Sequence, residues 1–307
     1  MQNLFITHGM AIRVGFFLSL LVVMALWELW APRRLLTRSK PLRWRNNLGL
    51  VLLNSAVLRL LVLTSATGVA LIAQSRGWGL FNNISIPAWL SVILAVVALD
   101  FAIYLQHVLF HAVPLLWRLH RVHHTDLDFD VTTGLRFHPV EILLSFGIKC
   151  VAIVLLGASP LAVLIFEVLL SATAMFNHGN VRLPAGWDRA LRLVVVTPDM
   201  HRVHHSVIPR EANSNFGFNL PWWDFLLGTY CDQPGQGHEG MTIGISQFRD
   251  DRVERLFGML VLPFTGKVGG YPIHGEESSR EPPGQEISPA RVNDPLHGNP
   301  SLHCPKS

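Results

Sequence analysis

Long runs of apolar residues dominate the pattern of this chain. Three of them, residues 14–30, 48–73 and 86–109, are each close to the roughly 20 residues that a helix needs to cross the hydrocarbon core of a bilayer. A fourth run, residues 142–176, is too long for one crossing and is interrupted by the sequence Gly157-Ala158-Ser159-Pro160. We therefore predict three membrane-spanning helices followed by a tight helical hairpin that returns to the side from which it enters.

The composition agrees with this pattern. Hydrophobic residues make up 50% of the 307 residues and charged residues only 15%, which is typical of a membrane protein. From about Tyr271 to Ser307 the chain is rich in Pro, Gly, Ser and charge, so we predict a disordered tail. These boundaries divide the chain into N-terminal transmembrane helices with a basic loop (1–85), a central domain (86–270) and the tail (271–307).

Basic residues predict the orientation of the bundle. The loop after the first run contains no acid and carries the basic residues Arg33, Arg34, Arg38, Lys40, Arg43 and Arg45. The positive-inside rule places this loop in the cytoplasm, where we expect it to face anionic lipid head groups. The third span and both ends of the hairpin then also reach the cytoplasmic side. The predicted fold class is an all-α, polytopic membrane helical bundle, in a bacterial inner membrane or a membrane of the endoplasmic reticulum type.

Histidines concentrate at those cytoplasmic ends. The pattern His-x-x-His-His occurs twice, and a His-x-x-x-His pair precedes the first copy. On a helix, positions i, i+3 and i+4 share one face, so each triplet directs three imidazoles to a common point. Imidazole is a ligand for Fe, Zn, Cu and Ni, and eight of them exceed what one ion can take. We predict a cytoplasmic histidine-rich cap that holds a dinuclear metal site with the ligands His107, His111, His120, His123, His124, His201, His204 and His205.

Further candidates flank this set. His178 follows the hairpin directly and His138 precedes it, so either could add a ligand. Asp100 and Tyr104 lie two turns and one turn before His107 on the same helix face. We predict that Asp100 accepts an imidazole N–H, which would fix the orientation of a ligand; the alternative is a structural partner, either an arginine or a backbone group.

Other polar residues are assigned structural roles. Glu141 stands in the first turn of a predicted helix, where an acid interacts favourably with the helix dipole. Lys149 and Glu167 lie at similar depths in the two arms of the hairpin, so we predict that they pair. In the competing interpretation Lys149 reaches a lipid head group, and Glu167 points into the substrate cavity or toward the metals. The cysteines form no C-x-x-C motif and predict no disulfide.

We expect four further residues to support the cap without binding metal: Asn213, Asn215, Trp223 and Asp224.

Taken in order, these motifs resemble those of a known family. The residues that carry the resemblance are Asp100, His107-x-x-x-His111, His120-Arg121-Val122-His123-His124, Phe137-His138-Pro139, Asn177-His178, Met200-His201-Arg202-Val203-His204-His205, Asn213-Ser214-Asn215-Phe216-Gly217, Pro221-Trp222-Trp223-Asp224 and Gly228-Thr229-Tyr230. Together they are similar to the fatty acid hydroxylase / sterol desaturase superfamily over roughly residues 86–230.

The resemblance implies a membrane-bound non-haem di-iron enzyme that uses O2 to hydroxylate or desaturate a C–H bond of a lipid. The implied ligands of the two irons are the eight histidines above together with His178, and His138 as a possible tenth. The catalytic candidates beside them are Asp100, Tyr104 and Asn177. A fatty acyl chain, a sterol-like polycycle and a carotenoid all remain open as substrates.

Several other functions are less compatible with the sequence. A zinc protease would need His-Glu-x-x-His, and His238-Glu239 does not continue in that way. The chain has no dinucleotide fingerprint and no C-x-x-C-H haem motif, so electrons must come from a separate protein, such as a cytochrome b5-like or ferredoxin-like donor. No basic stripe interleaved with aromatic residues indicates nucleic-acid binding. A membrane metal-binding or metal-transport protein without oxygenase activity remains the alternative.

Overall fold

The computed structural model describes residues 2–273 and Cys304, and within them the regular elements are all helices, joined by loops. The fold class predicted from the sequence is confirmed. The helices are α1 (Gln2–Trp30), α2 (Lys40–Leu61), α3 (Ala66–Arg76), α4 (Ala88–Ala112), α5 (Pro114–His124), α6 (Pro139–Leu156), α7 (Pro160–Asn177), α8 (Ala185–Leu191), α9 (Pro198–His204), α10 (Pro209–Ala212), α11 (Trp222–Leu227), α12 (Gly237–Gly240) and α13 (Leu256–Val261).

Five helical segments are long and apolar enough to cross a membrane. They are Ala11–Trp30, Lys40–Arg76, Ala88–Ala112, Pro139–Leu156 and Pro160–Asn177. Their outer faces carry large apolar side chains that water would not favour, such as Leu26 on α1, Leu60 on α2 and Leu155 on α6, which are exposed by 60%, 81% and 68%. The protein is therefore an integral membrane protein.

The second apolar run lies within one candidate span, Lys40–Arg76, but its helix is interrupted between Leu61 and Ala66. α2 ends at Leu61, and α3 begins after Ser65, whose side chain accepts a hydrogen bond from the backbone N–H of Gly68. Serine is a preferred N-cap because it satisfies a backbone donor that the first helical turn leaves free. The sequence prediction missed this N-cap because the residues on both sides of Ser65 are hydrophobic and read as one continuous apolar run.

The helical hairpin is confirmed. α6 ends at Gly157 in the left-handed conformation (φ 66°), and α7 begins after Ser159, which accepts from the backbone N–H of Ala162. A side chain at position 157 would also collide with the backbone of Trp78 in the preceding loop. Gly and Pro therefore make the reversal tight, and α6 and α7 pack together with α3 and α4 around a core that includes Leu99 and Phe166.

The basic loop contacts the cap rather than facing only lipid. Arg43 is fully buried and pairs with Asp126 at 2.7 Å and with Asp130 at 2.5 Å. Arg33 pairs with Asp199 at 3.1 Å, beside the second histidine triplet. Removing one member of a buried ion pair typically costs about 3–5 kcal/mol, so the pairs of Arg43 fix the cap against α2. The Arg33 pair is partly exposed and contributes less.

Residues 271–273, the last described residues before Cys304, contact the helices that carry the first histidines. Tyr271 is buried against Trp117, and the backbone N–H of Ile273 donates to the carbonyl of His111. Residues 274–303 and 305–307 of the predicted disordered tail lie outside the described residues. A disulfide joins Cys231 and Cys304, which corrects the expectation that the cysteines do not pair.

Candidate metal centre

The structure brings nine histidines together in two adjacent, buried groups. In each group the nitrogens that could bind metal lie within 4.8 Å of one another. The first group is His107, His111, His120, His124 and His204, and the second is His123, His178, His201 and His205. Each His-x-x-His-His motif contributes to both groups, so the two groups form one continuous cluster.

Local sequence places these side chains. α4 carries His107 and His111 on its last two turns, and α5 follows after a single residue. Thr197 caps α9 by accepting from the backbone N–H of Met200, and Pro198 occupies the first helical position. The N-cap Thr197 and the proline Pro198 determine where helix α9 begins. They therefore determine which face of α9 carries His201 and His204. His178 stands directly after the last turn of α7.

Neighbouring acceptors fix the imidazoles. The Nδ1 atom of His107 donates to the carbonyl of Phe216 at 2.8 Å, and that of His204 to the carbonyl of Ser214 at 2.7 Å. His178 donates in the same way to the carbonyl of Ala174 at 2.8 Å. Because a carbonyl can only accept, the proton of each ring lies on Nδ1 and the Nε2 lone pair is free for a metal.

The donor set fits a metal pair. Within the described residues, Nε2 of His204 and both ring nitrogens of His205 are buried and lack a hydrogen-bond partner, which is costly unless a cation binds there. Burial lowers the pKa of His120 and of His178 to about 3, and it also holds the pKa of the other triplet histidines well below its ordinary value. All of these imidazoles are therefore neutral at physiological pH, which is the form that coordinates metals.

Glu141 is the functional candidate that the sequence interpretation missed. Its carboxylate accepts from Nδ1 of His120 at 2.6 Å, and both side chains are buried. This is the role that we predicted for Asp100. The position of Glu141 in the first turn of α6 gave a sufficient structural explanation, and nothing in the spacing pairs it with a residue 21 positions earlier.

Asp100 contacts no histidine ring in the described structure, and the prediction for it is corrected. Its carboxylate accepts from the backbone N–H groups of Asn219 and Leu220 and from Nε1 of Trp223 at 2.8 Å. The predicted alternative, a structural partner for backbone groups, describes it better. Asp100 holds the segment that follows Phe216, whose carbonyl in turn orients His107.

Tyr104 and Asn177, the other two catalytic candidates, also form hydrogen bonds to the segment that follows Phe216. The hydroxyl of Tyr104 lies 2.9 Å from Oγ1 of Thr229, and the side-chain amide of Asn177 donates to the carbonyl of Phe218 at 3.0 Å. Neither belongs to the two histidine groups. Both residues attach the 216–229 segment to the membrane helices.

His138 also lies outside both groups, which corrects its assignment as a possible ligand. It is the N-cap of α6: Nδ1 accepts from the backbone N–H of Val140, and Nε2 lies 3.2 Å from the carbonyl of Leu260. Pro139 occupies the first helical position of α6 and so places His138 at the N-cap of that helix rather than on one of its faces.

The residues expected to support the cap do so. The side chain of Asn213 accepts from Nδ1 of His111, and that of Asp224 accepts from the backbone N–H groups of Phe216 and Gly217. Asn215 adopts φ 52° and bonds to the backbone of residues 200 and 231.

Trp223→Ala should destabilise the protein before it changes the metal content. The substitution removes the Nε1 donor from the buried Asp100 carboxylate and leaves a space beside Phe101. Truncation of a fully buried Trp typically costs about 3–5 kcal/mol, and since Trp223 is half-buried the loss should be smaller. We expect a lower thermal unfolding midpoint with unchanged iron per folded chain; loss of iron at unchanged stability would contradict this assignment.

An apolar cavity of about 630 Å³ opens between α1, α2, α6 and α7. One end is lined by Gly134, Phe137 and Ala174, directly beside the histidines, because Phe137 stacks on His123 with ring centroids 4.5 Å apart. Deeper in the cavity Lys149 donates to Glu167 at 2.6 Å, which confirms the predicted pair. Glu167 also lines the cavity.

Comparison with known proteins gives a family for this arrangement. The fatty acid hydroxylase model matches residues 92–229. An ornithine lipid hydroxylase of Rhizobium tropici is 36% identical over 149 residues, which are 48% of this chain and 44% of that protein. An alkylglycerol monooxygenase of Xenopus tropicalis is 27% identical over 78% of this chain and 51% of that protein. Human cholesterol 25-hydroxylase is 30% identical over 45% of this chain and 50% of that protein.

The chain spans about half the length of the curated relatives it matches. No solved structure is significantly similar to it. The matched region begins in α4, ends at the segment that orients His107 and His204, and contains all nine clustered histidines. The family match and the motif resemblance thus concern the same residues, and residues 92–229 of this chain match the fatty acid hydroxylase family.

Proposed function

We propose that this protein is a membrane-bound non-haem di-iron oxygenase that uses O2 to oxidise a C–H bond of a lipid. The observation that carries the proposal is the pair of adjacent, buried groups of neutral imidazoles, which together offer nine ring nitrogens. The names of the similar proteins, all hydroxylases or monooxygenases, favour hydroxylation over desaturation. A metal-transport protein is disfavoured, since the cluster is enclosed and Asp100 in α4 is held by backbone groups and Trp223 rather than lining a path.

Two iron ions would be held by the two histidine groups, five ligands in one and four in the other. When bound, the iron pair would supply the activation of O2 and the oxidation of an unactivated C–H bond. The chain itself provides the geometry: the carbonyls of residues 174, 214 and 216 and the carboxylate of Glu141 hold the rings in place. The aromatic rings of Phe129, Phe137 and Phe216 pack against the imidazoles and exclude water.

The apolar cavity supports a lipid substrate that enters from the bilayer. Its lining is mostly aliphatic and aromatic, and it reaches the histidine cluster at Phe137 and Ala174. A lipid chain could bind there without exposing polar backbone, since the lining belongs largely to intact helices.

We further propose that the centre faces the cytoplasm and that a separate protein, cytochrome b5-like or ferredoxin-like, delivers electrons there. The support is indirect: the basic loop, which the positive-inside rule places in the cytoplasm, is joined to the cap by the ion pairs of Arg33 and Arg43. The donor would therefore reach the cap on the side opposite to the lipid cavity.

Metal content and product analysis test the proposal together. Protein purified from iron-supplied cells should contain about two irons per chain, as two separate imidazole groups require. In cells that carry the gene, one lipid should gain a single oxygen atom, and heavy-isotope O2 should label it. One exchangeable divalent ion, with no oxygen-dependent change in any lipid, would instead support the metal-transport alternative.

A further inference from the structure

The apolar cavity contains a cluster of three charged side chains, Arg13 on α1, Lys149 on α6 and Glu167 on α7. Lys149 donates to one carboxylate oxygen of Glu167 at 2.6 Å, and Arg13 pairs with the other oxygen. The three side chains keep 29%, 14% and 13% of their surface exposed, so they are accessible from the cavity. We call them the charge cluster.

The charge cluster contains one more positively charged side chain than a structural ion pair between two helices requires. A single cation would satisfy Glu167 and hold two helices together, whereas both Arg13 and Lys149 contact it. No other described residue lining the cavity is charged; the remaining polar lining consists of Asn54, Ser55 and Ser171. An unbalanced charge at membrane depth costs a few kcal/mol, so an anionic ligand would be favoured there.

The distance from the charge cluster to the histidines is set by the helices. Lys149 lies eight residues after Glu141, which holds His120, and Glu167 lies eleven residues before His178. At about 1.5 Å per residue, the separation along the helix axes is about 12–16 Å. With C–C bonds of about 1.5 Å in a zigzag, each bond advances an extended hydrocarbon chain by about 1.25 Å, so roughly ten to thirteen bonds span this distance.

We propose that the charge cluster binds the anionic end of an amphiphilic lipid, so that a carbon about ten to thirteen bonds away lies at the histidine centre. The oxygen anion can be a carboxylate or a phosphate, since a guanidinium and an ammonium bind both. This inference rests on the proposed function, because it names the class of substrate that the same cavity receives. Arg13 and Lys149 are then specificity residues, and Glu167 positions them.

Binding to the purified full-length protein in lipid nanodiscs tests this proposal. The probes are palmitate, hexadecyl phosphate and methyl palmitate, which have similar chains but differ in the charge at one end. We expect at least one of the two anions to bind about tenfold tighter than the ester, a ratio that corresponds to about 1.4 kcal/mol. The anion that binds tighter identifies the head group, and equal affinity for all three probes would overturn the proposal.

Variants separate recognition from a structural role. Arg13→Met and Lys149→Met should each reduce the preference for the anion, whereas Arg45→Met, which changes an exposed arginine of the basic loop, should leave it unchanged. A triple variant with methionine at positions 13, 149 and 167 leaves no charge unpaired, so it should fold. If that variant still prefers the anion, the charge cluster has only a structural role and does not recognise the ligand.

The two proposals can fail separately. Probe binding needs neither turnover nor O2, and iron content is measured on the same preparation. Normal iron and turnover without a preference for anions would overturn only the anchoring role of the charge cluster. A preference for anions in a protein that binds no iron pair would overturn the oxygenase assignment and leave the lipid site.

Discussion

Replacing His123 or His204 with alanine should abolish detectable turnover and reduce bound iron from about two ions per chain to one or fewer. The two residues belong to different groups, so each change disrupts one half of the cluster. His204 is fully buried, and its Nε2 has no partner among the described residues, so this nitrogen has no structural use without a metal. Iron analysis and turnover of the purified protein measure the effect.

His138→Ala is a matched control, since it removes a buried histidine of the cap that lies outside both groups. Loss of an N-cap typically costs about 1 kcal/mol, so this variant should be slightly less stable and retain its iron. If His123→Ala keeps full activity, or if His138→Ala loses iron as His204→Ala does, the assignment of the ligands is wrong.

Much of the centre could be predicted because its information is local. The i, i+3, i+4 spacing of each triplet is a property of one helix turn, and Pro160 after Gly157 and Ser159 predicts the hairpin from neighbouring residues alone. His178 could also be placed, since the hairpin returns the chain to the side that holds the triplets. The sequence therefore predicted all nine histidines that the structure brings together.

The partners of these residues could not be predicted, because they depend on how distant segments pack. Asp100 lies on the same helix as His107, yet its carboxylate reaches the backbone of residue 219 instead, and Glu141 reaches His120. Sequence periodicity gives the face of a helix but not which segment covers it. Arg13 was missed for the same reason, since α1 and α7 are separated by more than 120 residues.

Glu141→Gln should weaken iron binding by about 10- to 100-fold while the protein remains folded, because changes to groups that orient metal-bound histidines have effects of this size. Glutamine keeps the shape and an oxygen that can accept from Nδ1 of His120, but it removes the negative charge that makes the imidazole a stronger ligand. Turnover should fall with iron occupancy and recover in part when iron is supplied in excess. Glu141→Leu, which also removes the acceptor, should show a larger loss of iron.

The contrast with the helix-dipole interpretation makes this test decisive. If Glu141 served only the first turn of α6, both substitutions would reduce stability by about 0.3–1 kcal/mol and leave iron affinity unchanged. Glu211→Gln is the matched control, since Glu211 is a buried acid of the cap that accepts from the backbone N–H of Gly235 and lies in neither histidine group. A selective loss of iron in the Glu141 variants would show that the hydrogen bond to His120, rather than the helix terminus, is the reason for an acid at this position.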